Sequence, residues 1–192
     1  MSFVKFASIL SITTFSTAAF AEDPKTSKFD ILGSLNYGSN SVGDAKVSTY
    51  ELSGSFLYSL TDNEKTNPLL GGGLSFLDLS VKMPYVKELS LITLLFNGYI
   101  GLKFKTSEKF SIYTLLNIGY PIYIQNNNQN FTTTKKTFYR GSFVWTYHVS
   151  QEFSLGLGAL LSYNNFSYQS SNSSASQSVI QISPTLNVGY HF

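Results

Sequence analysis

Pro184-Thr185-Leu186-Asn187-Val188-Gly189-Tyr190-His191-Phe192 alternates residue by residue. Leu186, Val188, Tyr190 and Phe192 are apolar, while Thr185, Asn187, Gly189 and His191 are small or polar. Successive side chains of a strand point to opposite faces, so a period of two marks a strand with one apolar and one polar face. A free strand of this kind would present a row of unpaired backbone groups. It needs a partner strand in the same chain.

Working back from that stretch, the same period recurs in segments 29–37, 47–60, 69–81, 88–104, 110–124, 138–149 and 153–163, with 179–192 as the eighth. The first sets Phe29, Ile31, Gly33, Leu35 and Tyr37 against Asp30, Ser34 and Asn36. The second sets Tyr50, Leu52, Phe56 and Tyr58 against Thr49, Glu51, Ser53 and Ser55. The third is the weakest: Leu70, Leu74 and Phe76 share a face that Asp78 interrupts. Either Asp78 sits at headgroup height or a bulge switches the phase there. The fifth aligns Phe110, Ile112, Leu116, Ile118, Tyr120, Ile122 and Ile124, with Pro121 on the opposite face. Proline has no N–H for a ladder, so Pro121 should mark a bulge or an unpaired rim. The triplet Gly71-Gly72-Gly73 lacks the Lys-Ser/Thr and helix of a phosphate loop and reads as thin strand where the wall bends.

The connections alternate in character. Short turns at 61–67, 105–109 and 150–152 are expected at one rim, and longer polar loops at 39–46, 82–87, 125–136 and 164–178 at the other. In this register aromatics collect at two heights. Phe29, Tyr58, Phe104, Phe110, Tyr147, Phe153, Tyr190 and Phe192 fall near the turn rim; Tyr37, Tyr50, Tyr120, Tyr139 and Tyr163 fall near the loop rim. Two aromatic girdles suit the two headgroup boundaries of a bilayer. A soluble barrel would instead turn the bulky face inward around a ligand.

The beginning of the chain agrees. Residues 1–5 are short and positive, 6–15 mostly apolar, and Ala19-Phe20-Ala21 has the A-x-A form of a cleavage site. Residues 1–21 are therefore expected to be a secretory signal peptide cleaved after Ala21, leaving 22–192 as one β-barrel domain. The 192 residues hold 13 Lys and Arg against 11 Asp and Glu, so no charge bias points to nucleic acid. Cys is absent, which excludes disulfides, thiol catalysis and thiolate metal sites. No run of 18 apolar residues follows the signal, so any membrane crossing is made by strands. In lipid, strands satisfy their backbone only in a closed barrel.

The terminal aromatic, the aromatic two residues before it and the alternation resemble the assembly signal of bacterial outer-membrane β-barrels, carried here by Leu186, Val188, Tyr190 and Phe192. The chain is similar in architecture to the small eight-stranded members of that class, the OmpA transmembrane domain, OmpX and the opacity-type barrels. The resemblance implies an all-β, antiparallel, up-and-down transmembrane barrel in a Gram-negative outer membrane, exported by the Sec route. It implies contact with outer-membrane lipid and lipopolysaccharide, insertion by the barrel assembly machinery through the terminal strand, and a monomer. Short turns and both chain ends then face the periplasm.

His148-Val149-Ser150 resembles the His-x-Ser of lipid A deacylases, but Gln151 stands where those enzymes carry Asn, and Glu152 has no evident role as an orienting acid. His191 reads as a lumen-packing residue, and two His without Cys argue against a metal site. No catalytic residue, metal or other cofactor is expected. The inward charges are more informative: Glu51 and Arg140 fall on polar faces at similar depth on opposed strands, and Lys103 faces inward near the turn rim. A buried charge needs a partner, so Glu51 and Arg140 are expected to form one lumenal ion pair, a brace or a gate. The leading functional expectation is a non-enzymatic barrel with a structural or adhesin-like surface role through its loops, for an unidentified surface ligand. A narrow channel for small hydrophobic or ionic solutes comes second, and a lipid A-modifying enzyme third.

Overall fold

Alternating sequence becomes strand throughout. The computed structural model describes residues 28–42, 44–63, 65–83, 86–126, 132–134, 138–170 and 173–192; the expected signal peptide lies outside them. The strands are β1 (Phe29–Val42), β2 (Ala45–Ser59), β3 (Thr66–Met83), β4 (Val86–Ser107), β5 (Phe110–Asn126), β6 (Thr132–Thr134), β7 (Phe138–His148), β8 (Phe153–Ser170) and β9 (Ser173–His191). Eight of them form the wall. Each pairs antiparallel with its neighbour in the order β1-β2-β3-β4-β5-β7-β8-β9, and β9 pairs back onto β1. The short β6 only adds to the loop-side end of β8, through Thr132↔Gln169 to Thr134↔Ser167. The result is an all-antiparallel, up-and-down closed barrel with no free sheet edge around its waist.

The two faces separate as the alternation requires. Leu35, Phe56, Ile100, Leu116, Phe143, Leu157 and Val188 point outward and are exposed. Leu32, Leu57, Leu95, Tyr113, Phe138 and Val144 point inward and are buried. Aromatic rings pair across neighbouring strands at both rims. At the turn rim Phe29 meets Tyr58 at 5.0 Å between centroids, and Phe153 meets Tyr190 at 4.9 Å. At the loop rim Tyr37 meets Tyr50 at 4.7 Å.

Several details correct the sequence-based expectation. The wall strands run on past the loop-side girdle: β8 and β9 stay paired to Ser170↔Ser173, and β1 and β2 to Val42↔Ala45. Most of 39–46 and 164–178, expected as loops, is therefore hairpin. Apart from Phe166 and Tyr168, those stretches are mostly polar or small on both parities, so their strand character left little period to read. β3 is no weak strand, with 18 residues. Asp78 keeps its outward parity, opposite Tyr50 of the loop-side girdle, and accepts a hydrogen bond from Ser90 Oγ at 3.4 Å. The irregularity of β3 falls instead between Val81 and Met83.

Pro121 does mark a bulge. Leu95 pairs with Pro121 but Leu94 pairs with Tyr123, so Ile122 is the extra residue. One extra residue exchanges the faces beyond it. Tyr123 is exposed, and Ile124, expected on the outer face, turns in against the buried cluster of Leu91, Leu95 and Phe138.

The glycine triplet explains how the wall curls. A Cβ at Gly73 would collide with the backbone carbonyl of Gly54 and come within 2.9 Å of Ser55 Cα; one at Gly71 would collide with that of Phe56. Both positions face the lumen. Leaving them bare lets β3 fold closely over β2.

Candidate functional site

The lumen is built in alternating polar and apolar layers. At the turn rim, Asp30 of β1 gathers groups from three other strands. Lys103 Nζ on β4 donates to both carboxylate oxygens, at 3.1 and 2.9 Å, and Tyr113 Oη on β5 donates to Oδ2 at 2.9 Å. His191 Nδ1 on β9 lies 2.7 Å from Oδ1. An ionised carboxylate only accepts, so Nδ1 carries the proton of this pair. His191 Nε2 then meets Ser154 Oγ on β8 at 2.9 Å. Beside them His148 Nε2 lies 2.8 Å from Ser111 Oγ, with its ring 4.9 Å from that of His191.

Asp30, His191 and Ser154 thus stand in the order acid, imidazole, hydroxyl, the connectivity that activates a serine nucleophile. The surroundings oppose that use. Ser154 is 1% exposed, Asp30 1% and His191 4%, so no substrate carbon can reach Oγ. The backbone around Ser154 is engaged on both sides, with His148 on β7 and Gly189 on β9, which leaves no N–H pair for an oxyanion. What the arrangement does is tie together five strands, including the two that close the barrel.

Above this layer Leu32, Leu57, Leu69, Tyr99, Leu115 and Val144 fill the lumen. Beyond them lies a second polar layer, where Arg140 Nη1 on β7 is 3.2 Å from Glu51 Oε1 on β2. The same nitrogen donates to Asn97 Oδ1 at 3.4 Å, and Asn97 Nδ2 donates to Ser75 Oγ at 2.7 Å. Ser34 Oγ donates to Asn187 Oδ1. This layer encloses a cavity of about 30 Å3 lined by Ser34, Asn36, Glu51, Asn117, Thr185 and Asn187 among others. That is room for roughly two waters. Arg140 Nε and Nη2, Asn36 Oδ1 and Asn117 Oδ1 have no partner among the described residues. A second apolar plug, including Val47, Leu77, Leu79, Leu95, Phe138 and Val179, closes the loop side.

The structure therefore brings Glu51 and Arg140 together across the lumen. It does not bring His148 and Ser150 together: His148 bonds to Ser111, while Ser150 Oγ accepts the backbone N–H of Glu152 and Phe153 and shapes the turn. Of the terminal stretch, Leu186 and Val188 face outward at 55% exposure, and Tyr190 packs edge-on against Phe192 at 4.7 Å. Phe192 N donates to Phe29 O at 3.0 Å, which extends the β1–β9 closure to the end of the chain. The Asp30 cluster was missed in the sequence. Its signal was the inward parity of Asp30, Lys103 and His191 at the same rim. Among the described residues no group of three or more His, Cys, Asp or Glu is placed to hold a metal ion.

The outer-membrane protein OprG from Pseudomonas aeruginosa superposes with a TM-score of 0.57 at 12% identity, covering 89% of this chain and 99% of that one. The chain has the fold of the small eight-stranded outer-membrane barrels. The outer-membrane protein AlkL, solved in lipid bilayers, agrees: TM-score 0.51 and 12% identity, over 93% of this chain and 97% of that one. No protein-family model and no curated protein matches the sequence. These likenesses carry architecture, and activity has to be argued from the residues.

Proposed function

We propose that this protein is a non-enzymatic outer-membrane barrel that holds rigid paired hairpins above the membrane for a structural or surface-interaction role. The β8–β9 ladder carries the reading. It continues for seven residue pairs beyond the girdle residue Tyr163, from Asn164↔Val179 to Ser170↔Ser173. At ~3.4 Å per residue that is roughly 20 Å of stiff, Ser- and Asn-rich hairpin. The outward apolar face meets outer-membrane lipid and lipopolysaccharide, and β9 is the strand offered to the barrel assembly machinery. A whole-cell binding screen against immobilised proteins and polysaccharides tests the role, with residues 165–177 replaced by a two-residue turn. Binding that survives the truncation, at equal barrel yield, overturns it.

The polar cavity beside Glu51 and Arg140 favours a second reading, a narrow channel for small solutes. Two apolar plugs flank that cavity, so we assign Glu51 and Arg140 to bracing the wall. No stepwise conductance is expected in planar bilayers; its appearance would favour the channel. Lipid A mass spectra with and without the protein should be identical, and a new species would favour the enzyme reading.

A further inference from the structure

β9 is fully paired on one side and half bare on the other. It pairs with all 18 residues of β8, from Phe153↔Tyr190 to Ser170↔Ser173, without a register shift. With β1 it pairs over seven, from Asp30↔His191 to Asn36↔Thr185. Next stands Pro184, which has no N–H to offer β1. Carried on at the same register, the end of β1 at Val42 would reach only as far as Val179. Ser173–Ser178 therefore rise clear of the β1–β2 hairpin, above the girdle residue Tyr163, whose partner is Ile180.

Parity decides which backbone groups are bare. The N–H and C=O of one strand residue point to the same side, and successive residues alternate. Phe192 N donates to Phe29 O of β1, and His191 N to Glu152 O at the start of β8. Even-numbered residues of β9 thus face β1, and odd-numbered ones face β8. Ile180 keeps the rule, since its carbonyl accepts from Asn40 Nδ2 of β1 at 3.1 Å. Above it Ser178, Ser176 and Ser174 turn their N–H and C=O to the open side. No strand pairs with β9 there among the described residues.

Natural sheets guard such an edge with a charge, a proline or a bulge. Ser173–Ser183 contains no Lys, Arg, Asp, Glu or Pro, and its register with β8 has no bulge. The bare edge offers a donor and an acceptor at every second residue, a repeat of ~6.8 Å. Another extended backbone matches that repeat; a saccharide or a lipid headgroup does not. A second copy in the same membrane does not fit either. Rotation about the membrane normal keeps both β9 strands running the same way, and with strands tilted by ~35–45° the two would cross at roughly 70–90°. We propose that this edge takes an extended segment of a partner polypeptide as an added strand, paired through Ser174, Ser176 and Ser178. The proposal rests on the surface-interaction reading of the hairpins and names the class of partner.

The test uses the full chain in dodecyl maltoside micelles, with backbone amide exchange followed by NMR. The probe is a capped peptide of alternating Thr and Val, long enough to span the edge. Before it is added, the amides of Ser174, Ser176 and Ser178 should exchange fast, and those of Ala175, Gln177 and Val179 slowly. The peptide should slow the first set saturably, and its fully N-methylated analogue should not. Ser176→Pro removes an N–H that β8 does not use, so the barrel should form and the peptide should bind about tenfold more weakly. Ser176→Ala keeps the backbone and should bind as the parent does. No slowing by the peptide, equal slowing by its N-methylated analogue, or equal losses in the Ala and Pro variants would overturn the proposal. So would protection of the first set that grows with protein concentration alone, which would name a second copy as the occupant. The exchange comparison needs no variant, so it stands even if the proline blocks folding. In the whole-cell screen, binding lost on truncation of 165–177 but kept by Ser176→Pro would remove this inference and leave the surface-interaction reading standing.

Discussion

Asp30 Oδ1 lies 2.7 Å from His191 Nδ1, and the two residues are Cα partners on β1 and β9, the strands that close the barrel. The bond therefore does more than satisfy a buried carboxylate: it pins the seam at the turn rim. Asp30→Ala would strand Lys103, Tyr113 and His191 around an empty acceptor. The expected cost is about 3–5 kcal/mol, read as urea unfolding in lipid vesicles. Asp30→Leu with Lys103→Met should be milder than Asp30→Ala, because a matched apolar pair leaves no charge behind. Loss of less than about 0.5 kcal/mol in Asp30→Ala, the scale of an ordinary surface change, would show that the cluster holds nothing.

Glu51 and Arg140 invite a double-mutant cycle. Glu51→Gln alone should destabilise by about 3–5 kcal/mol in this buried layer, and less where water in the small cavity reaches Arg140. The double variant with Arg140→Gln should cost less than the sum of the singles. Strict additivity in urea unfolding would mean that the 3.2 Å contact has no energetic content.

How far the sequence carried the fold depends on what alternation encodes. Leu186, Val188 and Tyr190 declare a face because lipid demands apolar side chains on one side of every strand. The same demand placed Glu51 and Arg140 inside, and eight-fold closure set them opposite one another. Asp30 and His191 were equally visible as inward residues. What parity lacks is register, and without the pairing Asp30↔His191 no partner could be assigned. Above the girdles the demand vanishes. Ser, Asn and Thr serve either face there, so the hairpins read as loops.

Pro121 shows a different limit. Its bulge was legible, but the exchange of faces beyond it needed the count of residues on both strands. The chain has no Cys, so single-cysteine variants report this cleanly. A water-soluble maleimide should label Tyr123→Cys quickly and Ile124→Cys slowly, since Tyr123 is 53% exposed and Ile124 packs inward. The reverse order of rates would restore the unbroken phase and remove the bulge.

Depth along the wall gives the last prediction. Leu116 is 58% exposed on β5, between the girdle residues Phe110 and Tyr120, and pairs with Ile100 and Gly141. Leu94 also points outward, but it pairs with Tyr123, beyond the loop-side girdle residue Tyr120. The cost of a cation on the lipid face falls from about 2–4 kcal/mol at the midplane to about 0–1 near the interface. Leu116→Arg should therefore destabilise the barrel in lipid vesicles by about 2–4 kcal/mol, and Leu94→Arg by about 1 kcal/mol or less. In detergent micelles, whose soft interface lets the guanidinium snorkel, the gap between the two should shrink. Equal costs for both in vesicles would mean that the bilayer does not sit between the two aromatic girdles. A cost at Leu94 larger than at Leu116 would place the bilayer higher on the barrel.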